Sequence, residues 1–421
     1  MKSIKLDMDY IIGLGLTILA IAVSPFSLEF FSGRADLPFR VVLSSGSISS
    51  FFLLLGLAAL FRGRVRQYFF ICSAIFAPFA IVAVLEVLAI RLHLANRILR
   101  TEDYSVLSNY QHFPAAHFLS ISALAADAYP PRLRPFNNPY VAINSLGLRT
   151  QMPTPKKARE WRIAMTGGST AWGQSVVDAD TIPTQLQKIL HRRGGDLTVL
   201  NFGMPGAEIR DELALLREFR DRYQVDQVIF YTGGNDTIFS YRKQLQRELG
   251  GPEGGSIAAS FELFLTFNRL WIKLGGHSER LLARVDQVVL TRLEQDNSLQ
   301  NGIVDAQRYC WEITMRCDFV LQPLLVTRKI LPGREREMRE SLELLYPRIE
   351  AAVRRMYAGA IASQSSKYVH DFSDAFDTVE EPLYFDAIHI NELGNRIIAE
   401  RLARSTALAV ASPVRSEEPS R

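Results

Sequence analysis

Three long apolar stretches crowd the first ninety residues, roughly Tyr10–Leu28, Val41–Phe61 and Tyr68–Ile90. Each approaches the ~20 residues that a helix needs to cross a bilayer. Chain-wide figures of 48% hydrophobic and 22% charged residues look globular only because this concentration is averaged away. Lys2 and Lys5 precede the first stretch, and Arg62, Arg64 and Arg66 separate the second from the third. Excess positive charge marks the cytoplasmic side, so the N-terminus and the Arg62–Arg66 loop are expected in the cytoplasm. Three spans then carry everything after Ile90 across the membrane. A cleaved signal peptide at the first stretch is the alternative; the two remaining spans would still anchor the chain.

The 421 residues leave room for one large domain beyond this anchor. The sequence divides into an anchor over 1–93, a Pro-rich connector over 94–158, an α/β domain over 159–411 and a polar tail over 412–421, expected to be disordered. The formal net charge is +4, with basic residues scattered and no aromatic-interleaved basic patch. That speaks against a nucleic-acid partner. Among the 3 cysteines, Cys72 sits in an apolar run as packing, and Cys310 and Cys317 lack metal-ligand spacing. A disulfide between those two requires an oxidising compartment and a helix that ends between them; the sequence leaves it open and weighs against it.

From Glu160 onward, short apolar strands alternate with amphipathic helices. Strands are expected at Arg162–Gly167, Thr198–Phe202, Gln227–Tyr231, Phe319–Val326 and Tyr368–Phe372. Helices are expected at Ile182–Arg193, Glu208–Tyr223, Glu337–Ser363 and Glu392–Leu408. This alternation reads as a parallel sheet covered by helices on both faces, a three-layer α/β fold. Residues 238–297 read as a helical insertion. Its apolar run Leu263–Leu274 is expected either to lie over the site as a lid or, given Trp271 and Lys273, to rest on a membrane surface.

Parallel α/β sheets place their sites beyond the carboxyl ends of the strands. Here those ends carry Gly167-Gly-Ser-Thr170, Asn201-Phe-Gly-Met-Pro-Gly206, Thr232-Gly-Gly-Asn-Asp236 and, after the last strand, Tyr384-Phe-Asp-Ala-Ile-His389. Ser169 is a weak nucleophile until a base removes its proton. His389 is the natural base, and Asp386 one turn away can hold its second nitrogen. Asp374 and Asp377 compete with Asp386 less well, since neither sits one turn from the histidine. A tetrahedral intermediate needs donors for its oxyanion. The expected donors are the N–H groups of Ser169 and Gly203 and the Asn235 amide, while Asp236 is expected to cap the helix that follows.

These residues resemble the SGNH (GDSL-type) hydrolase superfamily, named for the Ser, Gly, Asn and His of its four blocks. The matching residues are Ser169, Gly203, Asn235 and His389, with Asp386 in the Asp-x-x-His position, and the resemblance covers about 150–410. One departure is Gly168, which stands where the family has the aspartate of Gly-Asp-Ser; that aspartate is not the triad acid. Asn144-Ser-Leu-Gly-Leu-Arg149 and His389-Ile-Asn-Glu-Leu-Gly-Asn-Arg396 also look like bacterial, membrane-anchored relatives. The resemblance implies a serine esterase in the bacterial cytoplasmic membrane with an external, periplasmic catalytic domain. Its expected substrate is an acylated small molecule or glycan, plausibly an O-acyl ester of an envelope or exported polysaccharide handled with envelope polysaccharide machinery. No metal or organic cofactor is expected. An O-acyltransferase and a non-catalytic glycan-binding assembly component are the alternatives.

Overall fold

The computed structural model describes residues 8–24, 39–61, 64–92, 94–107, 125–126, 128–194, 196–249, 269–274, 279–295, 298–362 and 368–405. They form two compact units, Met1–Leu99 with Gly254–Gly275, and Arg100–Glu253 with Gly276–Arg421. The connector read over 94–158 is thus divided at Leu99. The tail from Ser412 lies outside the described residues.

In the first unit the three apolar stretches form helices α1 (Met8–Ala22), α2 (Phe39–Leu60) and α3 (Arg64–Leu92). A fourth, α4, is a short helix at Leu94–Ile98. Glycines bring α1 and α2 into close contact: a Cβ on Gly56 would lie 2.7 Å from Thr17 Oγ1 and 2.9 Å from the Gly13 carbonyl. The Ser49 hydroxyl donates across to the Ala20 carbonyl at 2.8 Å. On α3 the inward residues are small or polar, Ser73, Ala80, Ala83, Glu86 and Ala89, while Ile71, Ile75, Phe79, Ile81 and Leu88 face outward. No single described helix is long and apolar enough to cross a membrane. Arg64–Ile75 and Ala77–Glu86 meet that length and composition only as a pair, bent by 41°. Pro78 lies in the bent region and removes an N–H from the helix ladder.

The second unit is built on five parallel strands, β5 (Trp161–Gly167), β6 (Leu197–Gly203), β7 (Gln227–Thr232), β8 (Arg316–Leu321) and β9 (Val369–Asp371). They follow two small antiparallel pairs, β1–β2 (Ala125–Ala126, Arg132–Leu133) and β3–β4 (Phe136–Asn137, Ala142–Ile143). The sheet order is β6-β5-β7-β8-β9. Strand order therefore reverses at β5, the position where such sheets open a crevice. Strands β5 and β7 are buried almost throughout, so both faces must be covered.

Among the described residues of this unit the helices are, in chain order, α5 (Ser169–Trp172), α6 (Ile182–Arg192), α7 (Ile209–Tyr223), α8 (Gly234–Leu249), α9 (Glu279–Arg284), α10 (Leu290–Gln295), α11 (Ser298–Glu312) and α12 (Arg334–Leu345). They are followed by α13 (Ile349–Ala362) and α14 (Glu392–Ser405). Helix α6 starts where Thr181 accepts from the Thr184 N–H, and it buries Ile182, Leu186, Ile189 and Leu190, the apolar face read from the sequence. It packs against α14 on one side of the sheet; α7, α8, α11 and α13 pack together on the other. Right-handed crossovers require this split once the strand order reverses.

Three expectations change. The strand expected at Phe319–Val326 runs Arg316–Leu321, because Pro323 has no N–H to continue the ladder; Leu325–Thr327 is a 3-10 turn. The helix expected over Glu337–Ser363 is two, broken at Pro347 and Arg348, whose φ is +65°. Helix α11 ends at Glu312 and Thr314 turns with φ +54°, so Cys310 and Cys317 come within 6.2 Å (Cα–Cα) and form a disulfide. Residues 269–274, the described part of the run read as a lid or a membrane-surface segment, belong to the unit of the N-terminal helices. There Arg269 and Lys273 donate to the carbonyls of Leu99 and Ile98 at 3.0 and 2.9 Å. Residues 263–268 of that run lie outside the described residues.

Candidate active site

Strand β5 ends in two glycines that the local geometry demands. Gly167 has φ +153°, and a Cβ there would lie 2.5 Å from the Tyr231 carbonyl. Gly168 is extended, but a Cβ on it would lie 2.5 Å from Asn235 Nδ2. The Gly-Gly-Ser spelling is thus a matter of space: the Asn235 amide occupies the volume that an aspartate side chain would need. Ser169 opens the short helix α5, which closes when Gly173, at φ +94°, donates to the Ser169 carbonyl.

Ser169 Oγ lies 2.5 Å from His389 Nε2, and His389 Nδ1 lies 2.6 Å from Asp386 Oδ2. The other Asp386 oxygen accepts from the N–H groups of Ile388 and His389 at 2.8 and 2.7 Å. Burial raises the Asp386 pKa, but the His389 charge and these hydrogen bonds outweigh it, and the carboxyl stays below its ordinary range. The Phe385 ring stacks on the imidazole at 5.4 Å and 11°. A bridge between Tyr384 and Ile390 closes the loop, and Asn391 Oδ1 accepts from the Gly394 N–H at the start of α14.

The competing groups are engaged elsewhere. Asp374 pairs with Arg401 at 2.7 Å and Asp377 with Lys329 at 2.6 Å. His370 contacts Asp318 and His191 the Leu197 carbonyl; His93, His112, His117 and His277 lie outside the described residues.

Of the expected oxyanion donors, Ser169 and Asn235 converge on one place. Both line the same small depression with Gly168, Ala207 and Ile388. Asn235 Nδ2 donates to the Ala207 carbonyl at 2.8 Å, which fixes the amide and leaves its second N–H. Gly203 is different. Its N–H already donates to Asn201 Oδ1 at 2.9 Å, and a Cβ on it would lie 2.3 Å from the Trp172 nitrogen. Gly203 therefore lets β6 press against the helix that carries Ser169, and its N–H is unavailable to an oxyanion. The glycine three residues on is the available one: Gly206 is exposed, has φ +78°, and its N–H has no protein acceptor among the described residues. Asn-Phe-Gly-Met-Pro-Gly contains both glycines, and only the fold distinguishes them.

Two buried carboxyls on the first turns of α7 and α8, Glu212 and Asp236, also line this depression. Burial, then the charge of Asp236, pushes Glu212 well up. Burial likewise raises Asp236 to about 7. Asp236 Oδ1 accepts from the Ile209 N–H at 3.1 Å, so it caps the neighbouring helix α7 as well as interacting with the Gly233 and Asp236 N–H groups at the start of α8, where a cap was expected. Among the described residues no group of three or more His, Cys, Asp or Glu is placed to hold a metal ion.

No protein-family model matches the sequence, and no curated protein matches it. Several solved structures are similar to part of it. TesA shares 15% identity with a TM-score of 0.33, over 57% of this chain and 95% of that one. An acetyl xylan esterase, AlAXEase, shares 12% with a TM-score of 0.34, over 57% and 97%. A GDSL-like lipase from Bacteroides thetaiotaomicron shares 12% with a TM-score of 0.29, over 59% and 87%. A hydroxyl in contact with a base, that base held by an acid, and N–H donors of Ser169 and Asn235 in one depression can together carry out acyl transfer.

Proposed function

We propose that this chain is an SGNH-type serine esterase, tethered to a membrane by its N-terminal helices and acting on O-acyl esters. Ser169 Oγ attacks the acyl carbonyl while His389 Nε2 takes its proton. Asp386 holds the other ring nitrogen and stabilises the imidazolium. The oxyanion is received by the N–H groups of Ser169 and Gly206 and the amide of Asn235. Collapse expels the alcohol, which takes the proton from His389, and leaves Ser169 acylated. Water, deprotonated by His389, then attacks the acyl-enzyme, releasing the acid and restoring the serine. The observation that carries this reading is the continuous contact from Ser169 through His389 to Asp386, at 2.5 and 2.6 Å.

The membrane reading has separate support. Burying small and polar residues while turning Ile and Phe outward is the reverse of what water selects, and matches packing in lipid. Exposure of Trp271 and Leu274, both 78% exposed in the same unit, fits a segment resting at a bilayer surface. Three crossings with the Arg62–Arg66 loop in the cytoplasm would put the esterase outside the cytoplasm, where a Cys310–Cys317 disulfide is stable and envelope polysaccharides offer O-acyl esters.

The test is covalent labelling. Wild-type protein in detergent should react with a fluorophosphonate probe, and Ser169→Ala should not. Absence of labelling in folded wild type would refute the esterase reading and favour a glycan-binding role. Product analysis on acylated oligosaccharides, with and without a sugar acceptor, separates water from hydroxyl as the acyl acceptor.

A further inference from the structure

Helix α5 is only four residues long, so its own ladder does little to hold Ser169 in place. The last carbonyls of a helix need donors from elsewhere. The Ser169 carbonyl accepts from the Gly173 and Gln174 N–H groups and the Trp172 carbonyl from Asn201 Nδ2 at 3.1 Å, and one further side chain gathers the Trp172 carbonyl with two beyond the helix. Arg149 Nη1 donates to the Gly173 carbonyl at 2.6 Å and to Trp172 at 3.2 Å, and Nη2 donates to Val176 at 2.7 Å. Its Nε donates to Asp178 Oδ1 at 2.7 Å, and its guanidinium lies 4.6 Å from the centroid of the Trp172 ring. The side chain is 1% exposed.

The Asn144–Arg149 motif aims this group. Asn144 Oδ1 accepts from the N–H groups of Leu146 and Leu148, its own N–H bonds the Leu148 carbonyl, and Gly147 turns with φ +81°. The Asn144 amide is anchored in turn on the Thr150 carbonyl and the Tyr223 hydroxyl. Asp178 is held by the Ala142 N–H at 2.9 Å. On the far side, Gly173 leaves no slack: a Cβ there would lie 3.1 Å from Arg149 Nη1 and 2.5 Å from Thr181 Cγ2.

We infer that Arg149 is a positioning residue for the nucleophile: its buried guanidinium fork sets the placement of the 169–173 turn and so the 2.5 Å approach of Ser169 to His389. The inference rests on Ser169 being the nucleophile. Only a planar fork can hold three carbonyls and a carboxylate at once; a lysine ammonium in the same place keeps the charge and loses the geometry. Misplacement of a reacting group by about 1 Å costs up to about 100-fold in rate.

The experiment compares Arg149→Lys, Arg149→Met and Asp178→Asn with wild type in the full chain, in detergent, with folded fraction measured by circular dichroism. The readouts are kcat and KM on a model ester and the fluorophosphonate labelling rate per folded molecule. For Arg149→Lys we expect kcat and labelling rate to fall together by about 10- to 100-fold while KM stays within about twofold. A purely structural role would lower the folded fraction and leave the surviving molecules fully reactive; that result, or a folded Arg149→Lys with kcat within about twofold of wild type, overturns the inference. If neither Arg149 variant folds, Asp178→Asn decides: a fall of a few-fold in kcat at constant KM supports positioning, and unchanged kcat overturns it. Wild type that is itself unlabelled refutes the esterase reading, an outcome distinct from any of these.

Discussion

Ser169 and His389 are separated by 220 residues in the chain, and their side chains meet at 2.5 Å. Neither group is useful for acyl transfer without the other. Ser169→Ala and His389→Ala should each lower ester turnover by several orders of magnitude, and the double variant should be little worse than either single one. Asp386→Asn should lose up to about 10⁴-fold, because an amide favours the wrong imidazole tautomer. Steady-state kinetics on folded variants check this; additive losses would separate the three residues into independent roles.

Asn235 and the two glycines of the second loop make a contrast. Asn235→Ala should cost about 10²- to 10³-fold in kcat. Gly203→Ala should instead lower the unfolding temperature, since its Cβ would press on the Trp172 nitrogen. Replacing the Gly206 N–H by an ester linkage should reduce kcat at unchanged stability. A stable Gly203→Ala protein with normal unfolding would contradict the packing role given to that glycine.

Writing Gly-Asp-Ser in place of Gly-Gly-Ser should harm the site. Gly168→Asp places a Cβ where Asn235 Nδ2 lies, at 2.5 Å. Displacing the amide should reduce kcat toward the level of Asn235→Ala, with KM changed less. A Gly168→Asp enzyme as fast as wild type would show that the amide is not held there during turnover.

Asp236 gives a pH dependence of stability. Its folded pKa is raised from 3.8 to about 7, so the native state holds a proton that the unfolded state releases. Stability contributed by this group is fully present below about pH 4 and declines as pH rises to about 7, by a few kcal/mol in total. Asp236→Asn keeps an oxygen for the Ile209 N–H and cannot ionise. Its unfolding midpoint should change less than that of wild type between pH 5 and pH 7.5; equal slopes in the two proteins would exclude Asp236 as the source.

Topology is open to direct measurement. Alkaline phosphatase fused after residue 160 should be active, and the exported protein should show Cys310 joined to Cys317 in non-reducing peptide maps, with Cys72 outside any disulfide. An inactive fusion with an active cytoplasmic reporter at the same point would reverse the orientation.

Local rules carried the sequence reading far. Alternation of apolar strands with amphipathic faces such as Ile182, Leu186, Ile189 and Leu190 decides a parallel α/β layer structure, because each periodicity fits one element type. Ser169, Asn235, Asp386 and His389 are legible because their chemistry is local in type and sits just past strand ends. What the sequence left open depends on neighbours distant in the chain. Gly203 and Gly206 differ only in what surrounds them: Asn201 and Trp172 enclose the first, while the second faces open space. Cys310 and Cys317 pair because a turn at Thr314 folds the end of α11 back onto β8. Arg269 and Lys273 find their acceptors on Leu99 and Ile98, about 170 residues earlier in the chain, which no local rule predicts. Arg149 is visible in the sequence only as the last residue of Asn144-Ser-Leu-Gly-Leu-Arg149; packing alone brings its guanidinium to the carbonyls behind Ser169. Periodicity and residue chemistry are written along the chain, whereas the acceptor that a given N–H finds is decided by where the folded sheet and helices bring remote atoms together.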